Sequence, residues 1–112
     1  MRRDHGHSRS DACHLALHRA ALAKLHGHPE LRTPCLDLLK YWRDKQLASG
    51  SEPYLEQWEA MLKNWSDEQL EGLILDEVKG QALRQCSPLG PLFSSRERSA
   101  ILERTNRALR RS

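Results

Sequence analysis

The chain has no apolar run of about 18 residues, the length a membrane-spanning helix requires, so no span is expected. It has three cysteines, Cys13, Cys35 and Cys86, widely spaced and without a CxxC pair. An odd count in that arrangement excludes a disulfide framework and points to reduced thiols in a cytoplasmic protein. Aromatics are scarce: three Trp, two Tyr and one Phe. Few are left for stacking on bases, because the tryptophans fall in apolar stripes. Met1 to Asp11 contains bases but lacks an apolar segment, so no secretory signal is expected there. There is no glycine-rich phosphate loop, nucleophile elbow or kinase-type set. Cys13 and His14 are adjacent in sequence rather than opposed in space. No catalytic residue and no cofactor is expected, and the chain reads as non-enzymatic.

What is present is helical. The length of 112 residues suits one domain. The hydrophobic share of 38% suggests a thin core, which homodimerisation would complete. Leu55, Trp58, Met61, Leu62 and Trp65 recur at helical spacing on one face. The expected fold is all-α, a compact bundle of four to five short helices. Residues 1–10 read as a flexible basic arm and 11–112 as a single helical domain.

The first helix is expected from Asp11 to His26, ended by Gly27. Leu15, His18, Leu22 and Leu25 form one stripe, and Leu17, Ala20, Ala21 and Lys24 its neighbour. Thr33 is placed as the cap of the second helix with Pro34 at its first position. That helix carries Cys35, Leu38, Leu39 and Trp42, widened by Leu36 and Leu47, and runs to about Ala48. Ser51 caps the third, which runs to about Trp65. Ser66-Asp67-Glu68-Gln69 has capping-box spacing and opens the fourth. Its stripe of Leu70, Leu73, Ile74, Val78 and Ala82 extends past Gly80, where a break is possible. Cys86 to Phe93 is a loop whose Leu89, Leu92 and Phe93 pack onto the core. Ser94 or Ser95 caps the last helix, with Ile101, Leu102, Thr105, Ala108 and Leu109 inward.

Charge is segregated. Residues 52–77 hold eight acids against Lys63, a balance of −7, whereas 1–51 balance at +4 and 78–112 at +6. The last helix presents Arg96, Arg98, Arg104, Arg107 and Arg110, and the arm adds Arg2, Arg3 and Arg9. These bases suit phosphate contacts, so a small DNA-binding regulator is the runner-up. Against it, a helix-turn-helix needs a tight turn. The only turn that short joins the acidic third and fourth helices.

His14 and His18 stand one helical turn apart, a spacing from which both rings can reach one ion. No HExxH pattern and no second ligand pair accompanies them, so they read as solvent-facing histidines and no metal site is expected. The apolar stripes exceed what a five-helix monomer must bury. Leu15, Leu22, Leu25, Leu31 and Leu36 are therefore the candidate partner-binding residues, as an exposed groove or ridge. A structural or adaptor subunit would show the same features.

Two stretches carry a family resemblance: Asn64-Trp65-Ser66-Asp67-Glu68-Gln69-Leu70 and Gly80-Gln81-Ala82-Leu83-Arg84-Gln85-Cys86-Ser87-Pro88-Leu89. With the length and the helical pattern, they make the chain resemble small quorum-sensing anti-activators of the QslA type. The resemblance implies a cytoplasmic protein that binds the ligand-binding domain of a LuxR-type transcription activator. It would block the activator's dimerisation and DNA binding, without cofactor or catalysis.

Overall fold

A computed structural model describes residues 5–45 and 52–111, with side chains from Arg9 onward. Among the described residues the fold is all helical: α1 (His5–Leu25), α2 (Arg32–Asp44), α3 (Glu52–Asn64), α4 (Asp67–Ile74), α5 (Gln81–Gln85) and α6 (Ser95–Arg111). Short 3₁₀ turns at Pro29–Leu31 and Gly90–Leu92 complete it. α1 packs against α4, α5 and α6, α2 pairs with α3, and the Gly90–Leu92 turn leans on α2.

The core gathers one apolar face from each of these pieces. Leu22, Leu25, Leu39, Leu55, Trp58, Met61, Leu62, Leu70, Ile74, Leu83 and Leu89 are buried together. The indole of Trp58 is fully enclosed, and its Nε1–H donates to the Leu83 carbonyl at 2.9 Å. That bond satisfies the one polar atom such a side chain carries inside.

Several ends form as their residues dictate. Gly27 takes a left-handed φ of 77° after α1, a conformation that suits glycine. At α4 the Gln69 amide donates to Ser66 Oγ (3.1 Å) and the Ser66 amide to Gln69 Oε1 (2.9 Å), the expected capping box. Ser94 and Glu97 repeat it at α6, at 3.1 and 2.9 Å. Glu97 also binds Lys24 Nζ at 2.6 Å, and Lys24 donates to the Leu92 carbonyl at 2.9 Å, tying α6 to the end of α1.

Other boundaries differ from expectation. α1 begins at His5, so residues 5–10 of the expected arm are helical backbone; residues 1–4 lie outside the described residues. A helix nucleated on packed turns propagates outward at little cost when neither proline nor a competing turn intervenes. α2 begins at Arg32, directly on the 3₁₀ turn, so Thr33 and Pro34 sit inside its first turn and Thr33 is not the cap. It ends at Asp44; Leu47, Ala48 and the expected cap Ser51 lie outside the described residues.

α4 stops at Ile74 although the apolar pattern continues. The Asp76 carboxylate accepts from the amides of Val78 (3.0 Å) and Lys79 (2.8 Å), a local turn that competes with the helix. Val78, expected inward, is 83% exposed. The carbonyls of Ile74 (2.6 Å), Asp76 (2.8 Å) and Glu77 (3.2 Å) accept from the buried Arg84 guanidinium. Gly80 is required here by close approach: a Cβ would fall 2.5 Å from the Leu73 carbonyl oxygen and 2.6 Å from that of Ile74. In α6, Ile101 is buried and Leu102, Thr105 and Leu109 are half-buried, whereas Ala108, expected inward, is exposed.

Candidate functional site

The five candidate leucines separate. Leu22 and Leu25 are 2% and 1% exposed and belong to the core, so they form no exposed ridge. The reason is the placement of α1, which is covered by three helices rather than one. Leu15, Leu31 and Leu36 are half-buried. Leu15 lines a groove with Ala12 and the exposed Val78, and Leu31 packs against the core just ahead of α2.

Leu36 stands in the groove between α2 and α3. Two adjoining open hollows, of about 480 and 640 Å³, share Leu36 and Lys63. Leu39 and Leu62 contribute to their apolar lining, and Trp65 closes one end. The rim is ionic and carries both signs. Glu59 bridges the helices, accepting from Arg43 Nη1 at 2.6 Å and Lys63 Nζ at 2.9 Å. These cations, Lys63 foremost, hold the Glu59 carboxyl below its ordinary pKa.

At the Trp65 end, Arg32 fixes the geometry. Its Nη1 donates to the carbonyls of Leu62 (2.9 Å) and Trp65 (2.8 Å), which end α3 without helical partners. Its Nη2 donates to Asp67 Oδ1 at 2.9 Å, and Asp67 Oδ2 accepts the Gly27 amide at 2.9 Å. One guanidinium and one carboxylate thus connect the ends of α1 and α3 with the starts of α2 and α4. The Gly27 amide, then Arg32, lowers the Asp67 pKa. Of the five leucines singled out in sequence, Leu36 lies in this groove; Arg32, Glu59 and Arg84 were not singled out, because their roles rest on long-range partners that spacing does not reveal.

Arg96, Arg104, Arg107 and Arg110 form an exposed basic row on α6; Arg98 is also exposed but lies on the other side of the helix, beside α1 and α5. The α3–α4 corner joins through Trp65 and Ser66 alone, and its helices carry Glu52, Glu56, Glu59, Asp67, Glu68 and Glu71.

His18 is 7% exposed, not solvent-facing. Its Nδ1 lies 2.6 Å from the His14 carbonyl oxygen. Burial is the main reason its pKa falls to about 4. Among the described residues no group of three or more His, Cys, Asp or Glu could hold a metal ion. His26 and His28 instead face Glu71 (3.1 Å) and Glu30 (3.2 Å). Nor is any described helix long and apolar enough to cross a membrane. No protein-family model, no curated protein and no solved structure matches this chain.

Proposed function

We propose that this protein is a non-enzymatic cytoplasmic regulator that binds the ligand-binding domain of a LuxR-type transcription activator. Occupying the activator's dimerisation surface blocks dimerisation and, with it, DNA binding. The observation that supports contact with a protein is the α2–α3 groove: open, with the half-buried Leu36 and Trp65 standing over a floor of the core residues Leu39 and Leu62, and edged by paired charges of both signs. An apolar helix laid in such a groove buries its side chains while the ionic rim fixes its register. The resemblance to anti-activators supplies the class of partner.

Inhibition requires only that the protein bind monomeric activator better than the active dimer. Self-association through the same groove, giving a homodimer in the absence of activator, belongs to the proposal. The test mixes purified activator dimer with an excess of this protein and measures mass by light scattering and promoter binding by gel shift. The proposal expects a smaller activator-containing complex and loss of the shifted promoter band. An unchanged activator dimer that still shifts the promoter overturns it.

The exposed arginine row on α6 favours one second reading, direct DNA binding. Phosphate contacts give an affinity that falls steeply with salt, whereas an apolar groove gives one that barely changes. Promoter binding by this protein alone, with a steep salt slope, would decide for DNA.

A further inference from the structure

A separate cavity of about 210 Å³ opens where α1, α5 and α6 meet the loop before α6. Leu17, Ala21, Leu89 and Phe93 give it an apolar wall. His14, Arg84 and Arg98 make the remainder basic, and no carboxylate is among its described lining residues. The volume equals that of roughly seven liquid waters at about 30 Å³ each. It suits a molecule smaller than a typical drug-sized ligand.

Two side chains of this cavity are buried and polar: a cation, Arg84, and an unpartnered acceptor, His18. Arg84 is 5% exposed and donates to the main-chain carbonyls of Ile74, Asp76 and Glu77. Its positive charge is buried beside the cavity, held by main-chain oxygens and also felt by the Asp76 carboxyl. His18 directs Nδ1 to the His14 carbonyl, which fixes the neutral tautomer with the lone pair on Nε2. That Nε2 is buried and has no hydrogen-bond partner. A buried acceptor without a donor is uncommon in folded proteins.

We infer that this cavity binds a small monocarboxylic acid that carries a hydroxyl or N–H donor on an apolar body. The carboxylate meets the basic side, chiefly the exposed guanidinium of Arg98. The apolar body lies against Leu17, Leu89 and Phe93. The donor reaches His18 Nε2 after a small opening of the cavity floor. Burial keeps His18 neutral, so its ring accepts a hydrogen bond rather than competing for the anion. The cavity is lined by different residues from the α2–α3 groove, so this inference does not rest on the activator reading.

The test uses the full chain and four probes: 3-hydroxybenzoate, 4-hydroxybenzoate, benzoate (no donor) and 4-hydroxybenzamide (no charge). Binding is followed by the ¹⁵N resonances of the His18 ring and by calorimetry. At least one hydroxybenzoate is expected to bind saturably and move the Nε2 resonance. Benzoate is expected to bind without moving it. The amide should bind at least about tenfold more weakly, 1.4 kcal/mol. Arg98→Gln, on an exposed position, should weaken the acid to the level of the amide without lowering thermal stability. Unmoved His18 resonances with both hydroxybenzoates at millimolar concentration overturn the inference, as does equal affinity for acid and amide. None of these readouts involves an activator, so failure here and failure of the anti-activator proposal are separate results.

Discussion

Replacing Arg32 by alanine should cost this fold about 3 kcal/mol. Three hydrogen bonds disappear together: two to the carbonyls that end α3 and one to Asp67. Bonds from a charged donor contribute about 1.5–3 kcal/mol each. Water can reach part of this cluster, since the Arg32 and Asp67 side chains are 13% and 22% exposed, so the sum must be discounted. Loss of the packed stem adds a little. With a urea m-value of about 2 kcal/mol/M, the midpoint falls by roughly 1.5 M. Urea unfolding followed by tryptophan fluorescence measures this directly, because Trp58 sits in the core and Trp65 is one of the lost partners. Arg32→Lys should recover only part, as a single ammonium cannot span the α3 carbonyls and Asp67 at once. A change below about 0.5 kcal/mol for alanine would refute the claim that Arg32 joins these helix ends.

Asp67 and His26 give the fold opposite pH dependences. The Asp67 carboxyl has a folded pKa below its ordinary value of 3.8, so its contribution is complete above that value and is lost as pH falls through the lower folded one. His26 works oppositely: Glu71 raises its pKa above 6.5, so its contribution is present below that value and fades as pH rises through the folded one. Urea midpoints measured against pH should therefore decline at both edges, and Asp67→Asn should flatten the acid edge. An unaltered acid edge in that variant would contradict the assignment. Gly80→Ala should destabilise by about 1–3 kcal/mol, the usual cost of overpacking, because the new methyl meets main-chain oxygens at 2.5 and 2.6 Å. A neutral or stabilising alanine in thermal unfolding would show that the turn has room.

The helices were legible where one residue acts on its own neighbourhood. The α3 stripe, the Ser66 capping box and the left-handed Gly27 need only local spacing. Boundaries failed where a distant or competing partner decides. The pattern from Leu70 to Ala82 reads as one helix with a break possible at Gly80; the helix stops earlier, at Ile74, because the Asp76 side chain captures the following amides and Arg84 binds the carbonyls beyond. Pro34 resembles a helix start, but the chain already turns at Pro29 and enters α2 at Arg32. Of the candidate surface, Leu36 was readable as part of an over-wide stripe. Leu22 and Leu25 were not separable from it, because periodicity identifies an apolar face and not the number of helices covering it. His18 fell within a stripe by spacing, and its burial follows from α1 standing between α4, α5 and α6.

Whether the α2–α3 groove binds an activator is decided by calorimetric titration of a LuxR-type ligand-binding domain into wild type, Leu36→Arg and Leu22→Arg, with thermal unfolding of each. Leu36→Arg should unfold like wild type and lose binding, whereas Leu22→Arg should lose the fold itself. A stably folded Leu36→Arg protein that binds the domain as tightly as wild type would contradict binding through this groove.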